Sequence, residues 1–281
     1  MSEPTPSEIP PLRPAAPANP ALRAAIAVVA PLLAGLLAGI ATGTLFDPAG
    51  NATRPSAAPI FAALGATAML LGVAWYGLEG LGFRGKRPLF AGIGFAVLGW
   101  VAVLAARLLP MWPDVSYNEL GQAVVEVTLF IEVVDIRNEG AGRAYFYYLL
   151  FEAFATQVWA FGLAFRALAD WRGPLAAAVG GGVLFGAVGF LLFQESFVPH
   201  WSTFVYFLTW GVFYGVIRLR TGSVIGPIVV QSLQSFTAWF VFQPPAELDV
   251  SQVQPVYLFA SALLALFIWR LWPRRVEDYR I

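Results

Sequence analysis

Deep inside the apolar stretch YYLLFEAFATQVW stands a single carboxylate, Glu152. In hydrocarbon such a group must be protonated, paired or turned toward a polar cavity. An ionisable residue placed this way is therefore a functional candidate by default. A buried glutamate can act as a general base toward water if other groups hold the substrate and stabilise the oxyanion. The plainer reading is a group that hydrogen-bonds a neighbouring helix. The other polar residues of the later apolar runs are amides and hydroxyls: Gln157, five residues on, then Gln231, Gln234 and Ser235. Gln231 and Ser235 are four residues apart and share a helical face. Amides join helices through hydrogen bonds but take up no proton near neutral pH. Glu79, beside Arg84 and Lys86, and Arg107, at the far end of its run, read as interfacial groups that reach water. His200, the one histidine, lies in a loop with Gln194, Glu195 and Trp201 and reads as solvated. With that one histidine and no cysteine, thiol nucleophiles, disulfides, histidine-ligated metal clusters and haem arrays are excluded. No metal and no cofactor are expected.

The elements that must position these groups are bilayer-crossing helices. Of the 281 residues 58% are hydrophobic and 12% charged, where a soluble domain carries about a quarter charged. The charge sits in islands between apolar runs near 24–46, 57–79, 88–109, 145–166, 174–193, 201–219, 223–242 and 255–272. Each run has the length needed to cross ~30 Å of hydrocarbon. Residues 1–21 are rich in proline and lack an apolar run, so a disordered tail is expected, without the features of a signal peptide. The segment 110–144 is both acidic and apolar, and its pattern fits helix and strand equally. It reads as an extracytoplasmic amphipathic loop, along the membrane surface or over the bundle. Three N-terminal helices (22–109) thus precede the loop, a four-helix core (145–243) follows it, and a final helix with a basic tail closes the chain (244–281).

Basic residues set the orientation. With the N-terminus inside, 13 arginines and lysines fall on the inside and 4 on the outside (Arg54, Arg107, Arg137 and Arg143). That bias predicts cytoplasmic N- and C-termini in a multi-pass protein of the cell inner membrane. Gly35, Gly39 and Gly43 in the first run, and Gly211 and Gly215 in the sixth, repeat every fourth residue and allow close helix approach. Packing within the chain is the expected use. Net charge is zero, which gives no pull toward nucleic acid.

The segment GVFYGVIRLRTGSVIGPIVVQSLQSF, Gly211 to Phe236, resembles the CAAX-protease and bacteriocin-processing (CPBP, or Abi) intramembrane proteases, through Tyr214, Arg220, Thr221, Gly222, Ser223 and Pro227. FEAFATQVWAFGLAFRAL resembles the family's EExxxR helix and VLFGAVGFLLF its FxxxH helix. The resemblance covers about 145–243 and implies a helical membrane core in which a glutamate activates water and histidines, an arginine and an asparagine hold the reacting groups. Matched residue by residue, Glu152 keeps the first glutamate and Ala153 replaces the second. Gln157 stands for the arginine, Phe185 keeps the phenylalanine and Gly189 stands for its histidine. Gln231 replaces the last histidine and Ser235 the final asparagine or aspartate. The expected fold is an all-α polytopic bundle of about eight spans whose later half is CPBP-like. The expected function is that of a pseudoprotease serving as an accessory or scaffold subunit among other membrane proteins and lipid. The alternatives are a glutamate-dependent intramembrane endopeptidase and a small transporter using Glu152. Against the transporter, 22–109 and 145–272 show no internal repeat.

Overall fold

The computed structural model describes residues 17, 19–43, 58–84, 87–108, 150–192, 200–240 and 250–280. These form eight helices and no strand. The loop 110–144, with Gln194 and Glu195, lies outside the described residues.

Helix α1 (Pro20–Ala41) starts earlier than its apolar run suggested. Asn19 caps it, its Oδ1 accepting from the Ala21 and Leu22 N–H groups at 2.9 and 3.4 Å, and Pro20 supplies the first turn. Gly43 lies past the helix end and packs against nothing, so the glycine face of α1 ends at Gly39. The next helices are α2 (Ala58–Leu81), broken at Gly77, and α3 (Arg87–Leu108). Helix α4 spans 150–172, with a π-helical middle, Val158–Ala164, and a last stretch Phe165–Arg172. Then come α5 (Pro174–Leu192), α6 (Trp201–Thr221), α7 (Ile225–Phe240) and α8 (Val250–Leu271). His200 is not a free solvated group. It is half-buried and caps α6, its Nδ1 accepting from the Ser202 N–H at 3.4 Å.

By length and composition, five helices among the described residues can cross a membrane: α1, α2, α5, α6 and α8. Of these α6 is the least hydropathic and the most enclosed, with 72% of its window buried against 22–39% in the others. The order follows from the solvent. A lipid-facing helix needs an apolar surface all round, whereas a helix ringed by protein can carry small and polar residues. Helix α6 therefore packs on α5, α8 and α3, with α4 against α2 and α1 on one side and α7 against α3 on the other.

One end of the bundle gathers the charged ends. Arg23 at the start of α1 pairs with Asp170 at the end of α4, 3.1 Å apart. The Val224 N–H before α7 donates to the Gly82 carbonyl after α2 at 3.1 Å. Helix α6 stops there because Gly222 takes a left-handed conformation (φ 72°), which costs glycine nothing. The chain after α8 turns back to the same end. Its Arg280 N–H donates to the Leu219 carbonyl (2.9 Å), Asp278 pairs with Arg220 (2.7 Å), and Tyr279 packs on the cluster of Phe165, Ala177, Ala178 and Leu219.

The Asp278 carboxyl is held below the usual carboxylate range, chiefly by the Arg274 backbone N–H it accepts; desolvation opposes this, and the Arg275 N–H and the Arg220 guanidinium add to the lowering. A depressed folded-state value means the fold-back is held at neutral pH and weakens as pH falls through that range. The hydrogen-exchange protection factors of 274–280, with rates corrected for the intrinsic rate at each pH, are expected to fall on going from pH 7 to pH 3.5, and Asp278→Asn to show the lowered protection already at pH 7. Identical protection of variant and wild type at pH 7 would show that Asp278 does not hold the segment.

Candidate functional site

The motif positions stand on three helices, two of which meet through a pair of them. Helix α4 carries Glu152, Ala153, Thr156 and Gln157, α5 carries Phe185 and Gly189, and α7 carries Gln231 and Ser235. The spacing of Thr156 and Gln157 on α4 sets both on the side that meets α7. There the Gln157 Nε2–H donates to Gln231 Oε1 at 2.7 Å, and the Gln231 Nε2–H donates to Thr156 Oγ1 at 3.2 Å. Thr156 in turn donates back to the carbonyls of Glu152 and Ala153, at 3.0 and 3.3 Å. Residues 74 positions apart thus form one buried polar chain, with Gln157 and Gln231 0% and 1% exposed. The Gln157 Oε1 has no hydrogen-bond partner among the described residues.

An aromatic wall lies next to α5. Phe185 meets Phe161 at 5.3 Å, Trp210 at 5.7 Å edge-on and Tyr214 at 6.1 Å edge-on. Phe185, Phe161 and Tyr214 are all buried. Glu152 is buried at 2% exposure, and Ala153 beside it lies in the apolar core. Gly189 is buried. Ser235 lies on α7 one turn after Gln231 and Gln234 just before it, their side chains outside the described residues; the same holds for the Arg107 side chain on α3. Glu79 is exposed near the end of α2, its carbonyl accepting from Arg84 Nε at 3.3 Å.

The chemistry this arrangement allows is narrow. Two amides and a hydroxyl bond one another here, with the Gln157 Oε1 left over, and none of the three takes up a proton near neutral pH.

Sequence reasoning missed three features. Thr156 was visible only as a hydroxyl one turn after Glu152. The π-helical middle of α4 leaves no mark in composition. Arg218 counted only as one of the 13 inside basic residues, yet its side chain is fully buried. Its Nε–H donates to the Phe161 carbonyl at 2.9 Å, inside the π-helix, and its Nη2 to the Gly80 carbonyl at 3.0 Å. Rare π segments of this kind often sit at functional places.

By length and composition these helices suit a membrane-spanning bundle, and two of the motif positions, Gln157 and Gln231, meet inside it. Residues 141–237 match the Rce1-like family, described as type II CAAX prenyl endopeptidase Rce1-like. The match spans about a third of the chain, from before α4 into α7, and it covers the region in which the motif resemblance lies. No curated protein and no solved structure matches the chain.

Proposed function

We propose that this CAAX-protease-like membrane protein is catalytically inactive and serves as an accessory or scaffold subunit of a membrane protein complex. The observation that carries this reading is the Gln157–Gln231 pair. Two positions where the resemblance implies an arginine and a histidine meet at bonding distance and close on each other as amides. Ala153 and Gly189, at two further positions, can neither donate nor relay a proton. What remains is a rigid, aromatic-walled core whose lipid-facing helices are free to meet other subunits. The expected result is that purified protein leaves prenylated CAAX peptides and leader peptides intact, and that gentle detergent extraction retains a defined membrane partner. Turnover that disappears in Glu152→Gln would replace this reading with the endopeptidase.

The proposed setting is the cell inner membrane with both termini cytoplasmic. Support comes from the 13 to 4 basic split and from Arg23, Arg84, Arg166, Arg220 and the segment after α8 sharing one end of the bundle. Reporter fusions after Lys86, Asp170 and Arg220 are expected to report cytoplasm, and those near Gly50, Glu139 and Gln243 the outside. A cytoplasmic signal at Glu139 would overturn the orientation.

A further inference from the structure

Around the last turn of α2 the chain gathers guanidinium groups from three elements. Arg84, just past the turn, donates Nε–H to the Glu79 carbonyl at 3.3 Å. Arg218, from α6, donates to the next carbonyl along, Gly80, at 3.0 Å. Arg166, from α4, lies over the Tyr76 ring one turn earlier, 5.8 Å from its centre. The Gly82 backbone presses on the Arg218 guanidinium so closely that an added Cβ would lie 2.9 Å from its central carbon. Gly222, closing the helix that carries Arg218, lies against Arg84: an added Cβ there would stand 3.3 Å from the Arg84 Nη1. Against these cations stands Asp170, already shared between Arg23 at 3.1 Å and Arg166 at 3.7 Å.

The donors of this cluster are not used up. Arg218 Nη1 is buried without a hydrogen-bond partner among the described residues, whereas Arg166 Nε faces Asp170 Oδ1 and the Tyr76 hydroxyl lies beside the Arg23–Asp170 pair. Arg218 is 0% exposed. Like charges brought together with a spare donor are costly, and an acceptor with several oxygens removes both costs. A carboxylate offers two oxygens in one plane, whereas a phosphoryl group presents at least three to guanidinium forks on different sides. The cluster lies at the charged end of the bundle, where exposed Trp171, Trp269 and Trp272 mark the level of lipid headgroups. Arg172 covers the Trp171 ring at 4.3 Å.

We propose that Arg84, Arg166 and Arg218 form a site for a phosphoryl anion, with the half-exposed Arg84 and Arg166 reaching the phosphate and the buried Arg218 supplying fixed charge behind it. Such basic pockets between membrane helices suit anionic headgroups. The test uses the full chain in neutral detergent. Native mass spectrometry measures retention of phosphatidylglycerol against phosphatidylcholine, and thermal unfolding is followed with and without inorganic phosphate. Preferential retention of phosphatidylglycerol is expected, weakened about fivefold in Arg84→Gln or Arg166→Gln and unchanged in Arg274→Gln, an exposed arginine at the same end. Arg84 lies outside any helix, so its variant tests the site without endangering the fold. Stabilisation by free phosphate that both variants lose, without lipid preference, assigns the same site to a soluble phosphoryl ligand. Equal retention of the two lipids with no phosphate effect overturns the proposal. So does an Arg274→Gln loss as large as that of Arg84→Gln.

Discussion

Leucine at Gly211 or Gly215 is expected to leave no folded bundle to purify. These glycines set α6 backbone-to-backbone against α5. A Cβ at Gly211 would overlap the Gly182 carbonyl oxygen, and one at Gly215 the Ala178 carbonyl oxygen. From the other side, a Cβ at Gly182 would stand 2.6 Å from the Val212 backbone and one at Gly186 2.5 Å from the Phe207 carbonyl. Extra methylenes in a packed core usually cost about 1–3 kcal/mol, because side chains can shift. Here the obstacle is main chain, which has no rotamer to change, so the two helices must separate along the whole contact. That would expose the ring cluster of Phe185, Trp210 and Tyr214. Gly94 is the control: it is exposed on α3 with nothing within 4 Å of an added Cβ. Gly94→Leu is expected to purify and unfold like wild type, while Gly211→Leu aggregates or gives no cooperative transition in detergent. A monodisperse Gly211→Leu protein with wild-type unfolding would contradict the close approach of α5 and α6.

Arg218→Leu is expected to lose stability next most severely. The guanidinium holds two carbonyls of different helices, Phe161 in the π-helix and Gly80 at the end of α2, and its carbon lies 5.1 Å from the centre of the Phe165 ring. Two effects compete. Removing a desolvated cation relieves a cost, and full apolar replacement of a buried ionic group can be neutral or stabilising. Leucine, however, replaces only the donor and leaves the buried Phe161 carbonyl and the part-buried Gly80 carbonyl without it, at about 1–3 kcal/mol for the buried acceptor and less for the other. The orphaned carbonyls outweigh the relief, since both acceptors stay fixed by their own helices. The loss is expected to appear as a lowered unfolding temperature with raised hydrogen exchange confined at first to 78–84 and 158–165. Arg218→Lys keeps the charge but cannot span both carbonyls with a planar fork, so it is expected to fall between the two. An unfolding temperature for Arg218→Leu at or above wild type would mean the desolvation cost dominates.

Segment-level properties were legible in the chain. The positions of the apolar runs follow from sums over about twenty residues, and such sums do not depend on what the segment later touches. Helix ends were not legible: α1 begins at Pro20, inside the stretch 1–21 read as a disordered tail, because Asn19 and Pro20 cap and start it locally. The motif resemblance over Gly211–Phe236 was legible too, and the match over 141–237 covers that region. What tertiary structure alone decided depends on the rotation of one helix against another distant in sequence. Gly35 packs against Ile60 while Gly43, on the same four-residue repeat, lies past the helix end. Arg218 and Arg220 are two residues apart on α6, yet one is buried among carbonyls and the other pairs with Asp278 at the surface. The difference of about 200° around the helix axis decides which meets protein and which meets water. Gln157 and Gln231 likewise read as two separate amides. Only the docking of α4 on α7 makes them one pair, because a hydrogen bond has angular and distance requirements that composition does not contain.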